Sequence, residues 1–181
     1  MKNKIHKYDF LIVGAGLLGT IAALALIKKK LKVLVIDKMN NKFIDNRTLA
    51  VNANSIEFLR NLGVWDDLKS KPQLIEKIVI DDNINKGSII FENNDEAMGN
   101  VIFNKELFEL ARKKLENFKV LKTNINLDGC DIRPNEKIQI NKKKYIFKKI
   151  IISIGKNIIS DPNHNNINFN QNQYSHVGFF K

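Results

Sequence analysis

At 181 residues the chain is long enough for one full domain with a sizeable core. Its formal charge of +11 would suit nucleic acid or a membrane surface. However, the lysines are spread along the chain, at Lys28 to Lys30, Lys113-Lys114, Lys142 to Lys144 and Lys148-Lys149, with no aromatic-basic signature beside them, so a solvated surface is the better reading and no nucleic-acid partner is expected. Cys130 is alone, which excludes an internal disulfide and fits a reducing compartment. His6, His164 and His176 are scattered without a paired spacing, so no metal site is expected.

The first predicted element is a strand at Phe10-Leu-Ile-Val13, an apolar run that suits burial on both faces of a parallel sheet. Gly14, Gly16 and Gly19 follow in the spacing G-x-G-x-x-G. A helical run, Leu17 to Ile27, comes next, and Lys32-Val-Leu-Val-Ile-Asp37 reads as a second buried strand closed by an acid. Each part has a task in binding a dinucleotide. Gly14 permits the turn off the strand, Gly16 lets a pyrophosphate approach the backbone, and Gly19 lets helix and strand pack closely. The helix N-terminus turns N–H groups toward the phosphates. Asp37, about 20 residues further on, suits the ribose hydroxyls. Ala15, between the first two glycines, and Lys38, after the acid, complete this set. G-x-G-x-x-G alone is weak, but strand, glycines, helix, strand and acid within about 30 residues are specific.

Two rivals compete for the same stretch. Phe10 to Ile27 is nearly free of polar residues, close to the minimum for a membrane span. Basic residues before it and small ones near its end also imitate a signal peptide. Neither rival accounts for the glycine spacing or for a second strand ending in an acid.

Further along, Lys38 to Ile44 reads as a polar linker, and Asp45-Asn-Arg47-Thr-Leu-Ala-Val leads into a helix. Asn54 or Ser55 suits its N-cap, Ile56, Leu59 and Leu62 its buried stripe, and Gly63 its end, with Trp65 packed against it. Lys77-Ile-Val-Ile-Asp and Ser88-Ile-Ile-Phe-Glu are expected as two strands joined by Asn83 to Gly87. Asn104 opens a helix with Glu106 and Glu109 early, Arg112 to Lys114 late, and a stripe of Leu107, Leu110, Ala111 and Leu115. A short strand at Lys119 to Lys122 follows. Then come a hairpin of Lys137 to Ile140 and Lys144 to Phe147 around Asn141-Lys142, and an apolar strand at Ile150 to Ile152 leading to Gly155. Asp161 to Gln173 is Asn-rich and reads as a loop or linker, with one more strand beginning at Tyr174 to Phe180.

Four segments together carry a family resemblance: Asp9-Phe-Leu-Ile-Val-Gly-Ala-Gly-Leu-Leu-Gly, Asp45-Asn-Arg-Thr-Leu-Ala-Val, Phe58-Leu-Arg-Asn-Leu-Gly-Val-Trp and Gly99-Asn-Val-Ile-Phe-Asn-Lys-Glu-Leu. Over Tyr8 to about Gly155 the chain resembles the N-terminal part of a flavin-dependent aromatic hydroxylase of the ubiquinone-biosynthesis family. The resemblance implies an α/β fold: a Rossmann-like FAD-binding domain over 1–160 with a parallel sheet, and the beginning of a smaller substrate-side sheet near 77–92. It implies that 161–181 form a linker and the start of a substrate domain. FAD is the implied cofactor and NAD(P)H the implied electron donor, with molecular oxygen hydroxylating an aromatic, prenylated quinone precursor. Arg47 matches an arginine near the flavin and its phosphates, and a fixed guanidinium charge suits that place. Lys105 stands where relatives carry an arginine touching the cofactor, and it keeps the charge without the planar fork. No catalytic residue is assigned.

The departures matter too. Where the family carries Ala-Asp-Gly and a small polar residue, this chain has Ser153-Ile154-Gly155-Lys156-Asn157, with Ile154 in place of the acid. The chain also ends before the family's later Gly-Asp motif. The expectation is therefore a truncated or split hydroxylase that is inactive alone, with a separate C-terminal piece or ubiquinone-biosynthesis proteins as partners. The alternative is a non-catalytic flavin-binding remnant. An NAD-dependent dehydrogenase domain is a third reading, against which Asp45 to Val51 and Phe58 to Trp65 speak. The expected location is cytoplasmic, at most peripheral to the inner membrane.

Overall fold

The computed structural model describes residues 4–39, 47–82, 87–92, 97–127 and 132–154. Asp45, Asn46, the connection at 83–86, Cys130, Gly155 to Asn157 and everything expected of 161–181, including His164 and His176, lie outside the described residues.

The chain begins with β1 (Ile5–Val13), α1 (Leu17–Lys28) and β2 (Val33–Ile36). Next come β3 (Thr48–Asn52), α2 (Ala53–Asn61), β4 (Gln73–Ile75), β5 (Lys77–Asp82) and β6 (Gly87–Glu92). It continues with β7 (Gly99–Phe103), α3 (Asn104–Glu116), β8 (Leu121–Lys122), β9 (Lys137–Ile140) and β10 (Lys143–Ile152). The principal sheet is five-stranded in the order β8-β2-β1-β10-β9. β1 lies parallel to both β2 and β10, and β2 parallel to β8, while β9 turns back antiparallel. The strands expected at Phe10, Val33 and Ile151 are thus the centre of one parallel sheet.

Residues of β1 and β2 alternate between two cores, as the two-residue period of a strand requires. Ile12, Val33 and Val35 face α1, α2 and α3 with Ala23, Leu24, Ile56, Leu59, Leu107, Ala111, Leu115 and Trp65. Leu11, Val13, Leu34 and Ile36 face the opposite side with Ile125, Leu127, Ile138, Ile140, Tyr145 and Phe147. Phe10 to Ile27 is therefore divided between a strand, a glycine loop and a helix, not one continuous span. No helix among the described residues is long and apolar enough to cross a membrane.

Several local expectations change. The hairpin strand at Lys144 and the apolar strand at Ile150 are one element, β10, paired with β1 from Ile5↔Lys144 to Val13↔Ile152. Asn141 and Lys142, with φ of 46° and 63°, form the tight turn into it. Thr48 to Asn52 forms a strand before α2, so the helix cap moves upstream. Asn52, not Asn54 or Ser55, is the N-cap, and its side chain accepts from the Ser55 N–H at 2.8 Å. β3 pairs with β7, and β7 with β4, in a three-stranded antiparallel sheet that the sequence reading does not contain. β5 and β6 form a separate two-stranded sheet, as expected for Ile78 and Ile90.

Candidate functional site

β1 delivers the chain to the glycine loop at the C-terminal end of the parallel sheet, where open α/β sheets bind ligands. The three glycines do different things. Gly14 has φ of 97°, and a Cβ there would lie 2.3 Å from the Ser153 carbonyl oxygen. A Cβ on Gly19 would lie 2.0 Å from the Gly14 carbonyl oxygen. Both residues are thus required by the packing of the chain on itself. Gly16 differs: its φ is −66°, which any residue adopts, and a Cβ there would meet nothing within 4 Å. Protein packing gives no reason for a glycine at that position. A ligand approaching the backbone does.

Gly16 is also the N-cap of α1, which has no side-chain cap and no acid in its first turn. Its first N–H groups therefore have no intrahelical acceptor and present the positive end of the helix dipole. Across the loop, Asp37 is held on both sides of its backbone. Its N–H donates to the Lys122 carbonyl and its carbonyl accepts from the Ile125 N–H, each at 2.9 Å. Its carboxylate accepts from the Ala15 N–H at 2.5 Å through one oxygen and from the Met39 N–H at 2.8 Å through the other. A carboxylate has about four acceptor positions, so each oxygen keeps one for a ligand hydroxyl. Gly14, Ala15, Gly16, Gly19 and Asp37 are therefore brought together as the spacing requires. Lys38 follows Asp37 in the sequence and is exposed.

Arg47 and Lys105 lie at a second place. The Arg47 carbonyl accepts from the Asn104 N–H at 3.0 Å, where the start of β3 lies beside the start of α3. Lys105, in the first turn of α3, lies 4.0 Å from Glu109, both side chains being about half exposed. Beside it Glu106 accepts from the backbone N–H groups of Lys69 and Ser70 and from the Ser70 hydroxyl, tying the loop before β4 to α3. Burial raises its pKa, but the Ser70 and Lys69 hydrogen bonds outweigh that and leave it lowered.

α3 connects this junction to the glycine loop. Arg112, about 10 Å further along the helix from Lys105, donates to the Ala15 carbonyl at 3.1 Å. The buried Thr20 hydroxyl donates to the same oxygen at 3.2 Å. Sequence reasoning took Arg112 only as a basic group near a helix end. Its spacing carried a signal: it stands four residues after Phe108 and three before Leu115, on the flank of the buried stripe. Ser153 donates its N–H to the Val13 carbonyl at 2.7 Å, which sets the Ser153-Ile154 corner against the glycine loop. The Ile154 side chain packs into the apolar cluster of the far face. Among the described residues no group of three or more His, Cys, Asp or Glu is placed to hold a metal.

A family model described as an FAD binding domain matches residues 7–141. The chain is 27% identical over 140 residues to the mitochondrial ubiquinone biosynthesis monooxygenase COQ6 of Dictyostelium discoideum, covering 65% of this chain and 28% of that protein. It is 27% identical over 151 residues to the protein of the same description from Caenorhabditis elegans, covering 74% of this chain and 33% of the relative. The chain thus spans about a third of the length of these relatives. Among solved structures, the rebeccamycin biosynthetic enzyme RebC superposes with a TM-score of 0.60 at 16% identity, over 83% of this chain and 33% of the other. CtdE in complex with FAD gives 0.58 at 19% identity, over 83% and 39%. Likeness at these identities speaks for the fold alone. With three-quarters of its length matched by the family model, the glycine loop and Asp37 included, the chain belongs to the FAD binding domain family.

Proposed function

We propose that this chain is the FAD-holding part of a flavin-dependent monooxygenase that hydroxylates an aromatic, prenylated quinone precursor in ubiquinone biosynthesis, with NAD(P)H as electron donor. One observation carries the cofactor part: at Gly16 the chain leaves open space beside an uncapped helix N-terminus, with Asp37 fixed across the loop. The residues present fit the group. The α1 N–H groups beside Gly16 would face its pyrophosphate, and the remaining acceptor positions of Asp37 its ribose. Arg47 and Lys105 would add positive charge at the β3–α3 junction, and Lys38 beside Asp37. When bound, the flavin supplies the redox and oxygen chemistry. The chain's own contribution is to bind and orient it. The similarity to two COQ6 proteins supports the quinone precursor, and the family supports FAD over NAD. We place the FAD-binding domain over 1–160, with 161–181 as linker and the start of a substrate domain, and association with a membrane surface, if any, at its periphery.

Titration of the purified chain with FAD and NAD tests the cofactor assignment, with FAD expected to bind more tightly. Tighter NAD binding would overturn it in favour of a dehydrogenase domain. Incubation with FAD, NADPH and a quinone precursor tests the reaction. A second reading, flavin binding without hydroxylation, is favoured by Ile154, which packs into the apolar cluster where the resemblance expects an acid. It predicts that a co-expressed C-terminal part restores no hydroxylated product, whereas the first reading predicts hydrogen peroxide from the chain alone and product once that part is supplied.

A further inference from the structure

Both sides of the Ala15 residue are pinned, and by side chains from three different elements. Its N–H is taken by Asp37 at 2.5 Å, and its carbonyl receives Thr20 from α1 at 3.2 Å and Arg112 from α3 at 3.1 Å. The Arg112 side chain is 14% exposed and its Nε lies 3.5 Å from Glu116, one turn on, which steers the guanidinium. Thr20 is fully buried. The peptide between Ala15 and Gly16 is trans, as are all those described. In a trans peptide the carbonyl and the following N–H point to opposite sides. Holding the Ala15 oxygen inward against Thr20 and Arg112 therefore turns the Gly16 N–H to the opposite side, away from those two side chains.

The geometry points to Arg112 as a positioning residue for the pyrophosphate of the bound dinucleotide, acting through the Ala15-Gly16 peptide, with Thr20 as its buried partner. Were that peptide to flip, a carbonyl oxygen would face the phosphates in place of a donor, and like partial charges would repel. The guanidinium prevents this with a charge-assisted bond to the inward oxygen. This deepens the FAD reading and rests on it.

The test uses the full 181-residue chain and compares FAD, ADP and adenosine in titrations followed by amide NMR, since adenosine lacks the phosphates. Wild type should bind FAD and ADP with a large shift of the Gly16 amide signal. Failure of wild type to bind either would remove the FAD reading, and the inference with it. If wild type binds, Arg112→Met should weaken FAD and ADP by roughly tenfold and leave adenosine unchanged. It should also move the Gly16 amide signal in the free protein. Arg112→Lys, which keeps the charge on one donor nitrogen without the planar fork, should recover part of the loss, and Thr20→Val should lose about threefold. Equal losses for adenosine and ADP, or no loss for any ligand, would overturn the inference. Should Arg112→Met fail to fold, Arg112→Lys and Thr20→Val apply the same adenosine-against-ADP comparison.

Discussion

Two apolar strand pairs of this molecule have opposite surroundings. In β1 and β2, Leu11, Ile12, Val33, Leu34, Val35 and Ile36 are at most 2% exposed. In β5 and β6, Ile78, Val79, Ile80, Ile89, Ile90 and Phe91 are 43–58% exposed, although their sequence is as apolar and as β-prone. The difference is one of neighbours. β1 has a strand on each edge, helices over one face and the Ile125–Leu127 segment with Tyr145 and Phe147 over the other. Among the described residues, β5 and β6 pair with each other. A two-stranded pair alone is marginal in water. Apolar runs select a strand, and the layers around the strand decide whether it becomes a core.

The comparison is sharpest at the loop that the buried pair supports. Gly19→Val should have the largest effect, because its Cβ would overlap the Gly14 carbonyl and, through it, the β1–α1 turn. A destabilisation on the order of 4 kcal/mol is expected, read as a lowered urea midpoint or failure to fold. Gly16→Val should leave the fold intact, because its Cβ enters open space. It should instead weaken FAD binding by about 1–3 kcal/mol, roughly 5- to 150-fold in Kd. Equal loss of stability from both variants would dissolve the distinction between a packing glycine and a ligand glycine.

Glu106 gives a pH-dependent test of how firmly the β4 loop is tied to α3. Its folded pKa lies below the ordinary value of 4.5, so the unfolded chain takes up its proton first as pH falls. Its contribution is therefore complete above the unfolded value and lost as pH falls through the folded one. Thermal midpoints followed from neutral pH to below 4 should show Glu106→Gln less stable at neutral pH and the gap closing in acid. A gap that widened in acid would contradict the hydrogen bonding to Ser70 and Lys69. The smallest effect is expected in the exposed pair. Ile90→Ala should cost about 1 kcal/mol or less, against roughly 2–5 kcal/mol for a fully buried isoleucine such as Ile12. A core-sized loss at Ile90 would mean that the hairpin is covered in solution.

The unit from Phe10 to Asp37 was legible because its information is local. An apolar run, three glycines and an acid at fixed spacing leave few alternatives, and they lie together in the fold as the spacing requires. The hairpin turn at Asn141-Lys142 was legible for the same reason. The three-stranded sheet was not. β3, β4 and β7 are short and meet across 23 or more residues of intervening chain, so no local pattern marks their pairing. β10 was divided because Lys148 and Lys149 interrupt its apolar run, although its pairing with β1 continues through Lys149 to Ile152.

By itself the sequence determined the parallel βαβ unit, the place of the glycine loop and the acid across from it, because turn chemistry and strand period act between near neighbours. Only the tertiary structure decided that Gly14 also packs, with the Ser153 carbonyl in the place of its Cβ. It alone brought Arg112 from α3 onto the Ala15 carbonyl, 97 residues away. The physical reason is that a hydrogen bond between distant residues depends on where two helices dock on one sheet. That docking is fixed by both cores together and by no spacing along the chain.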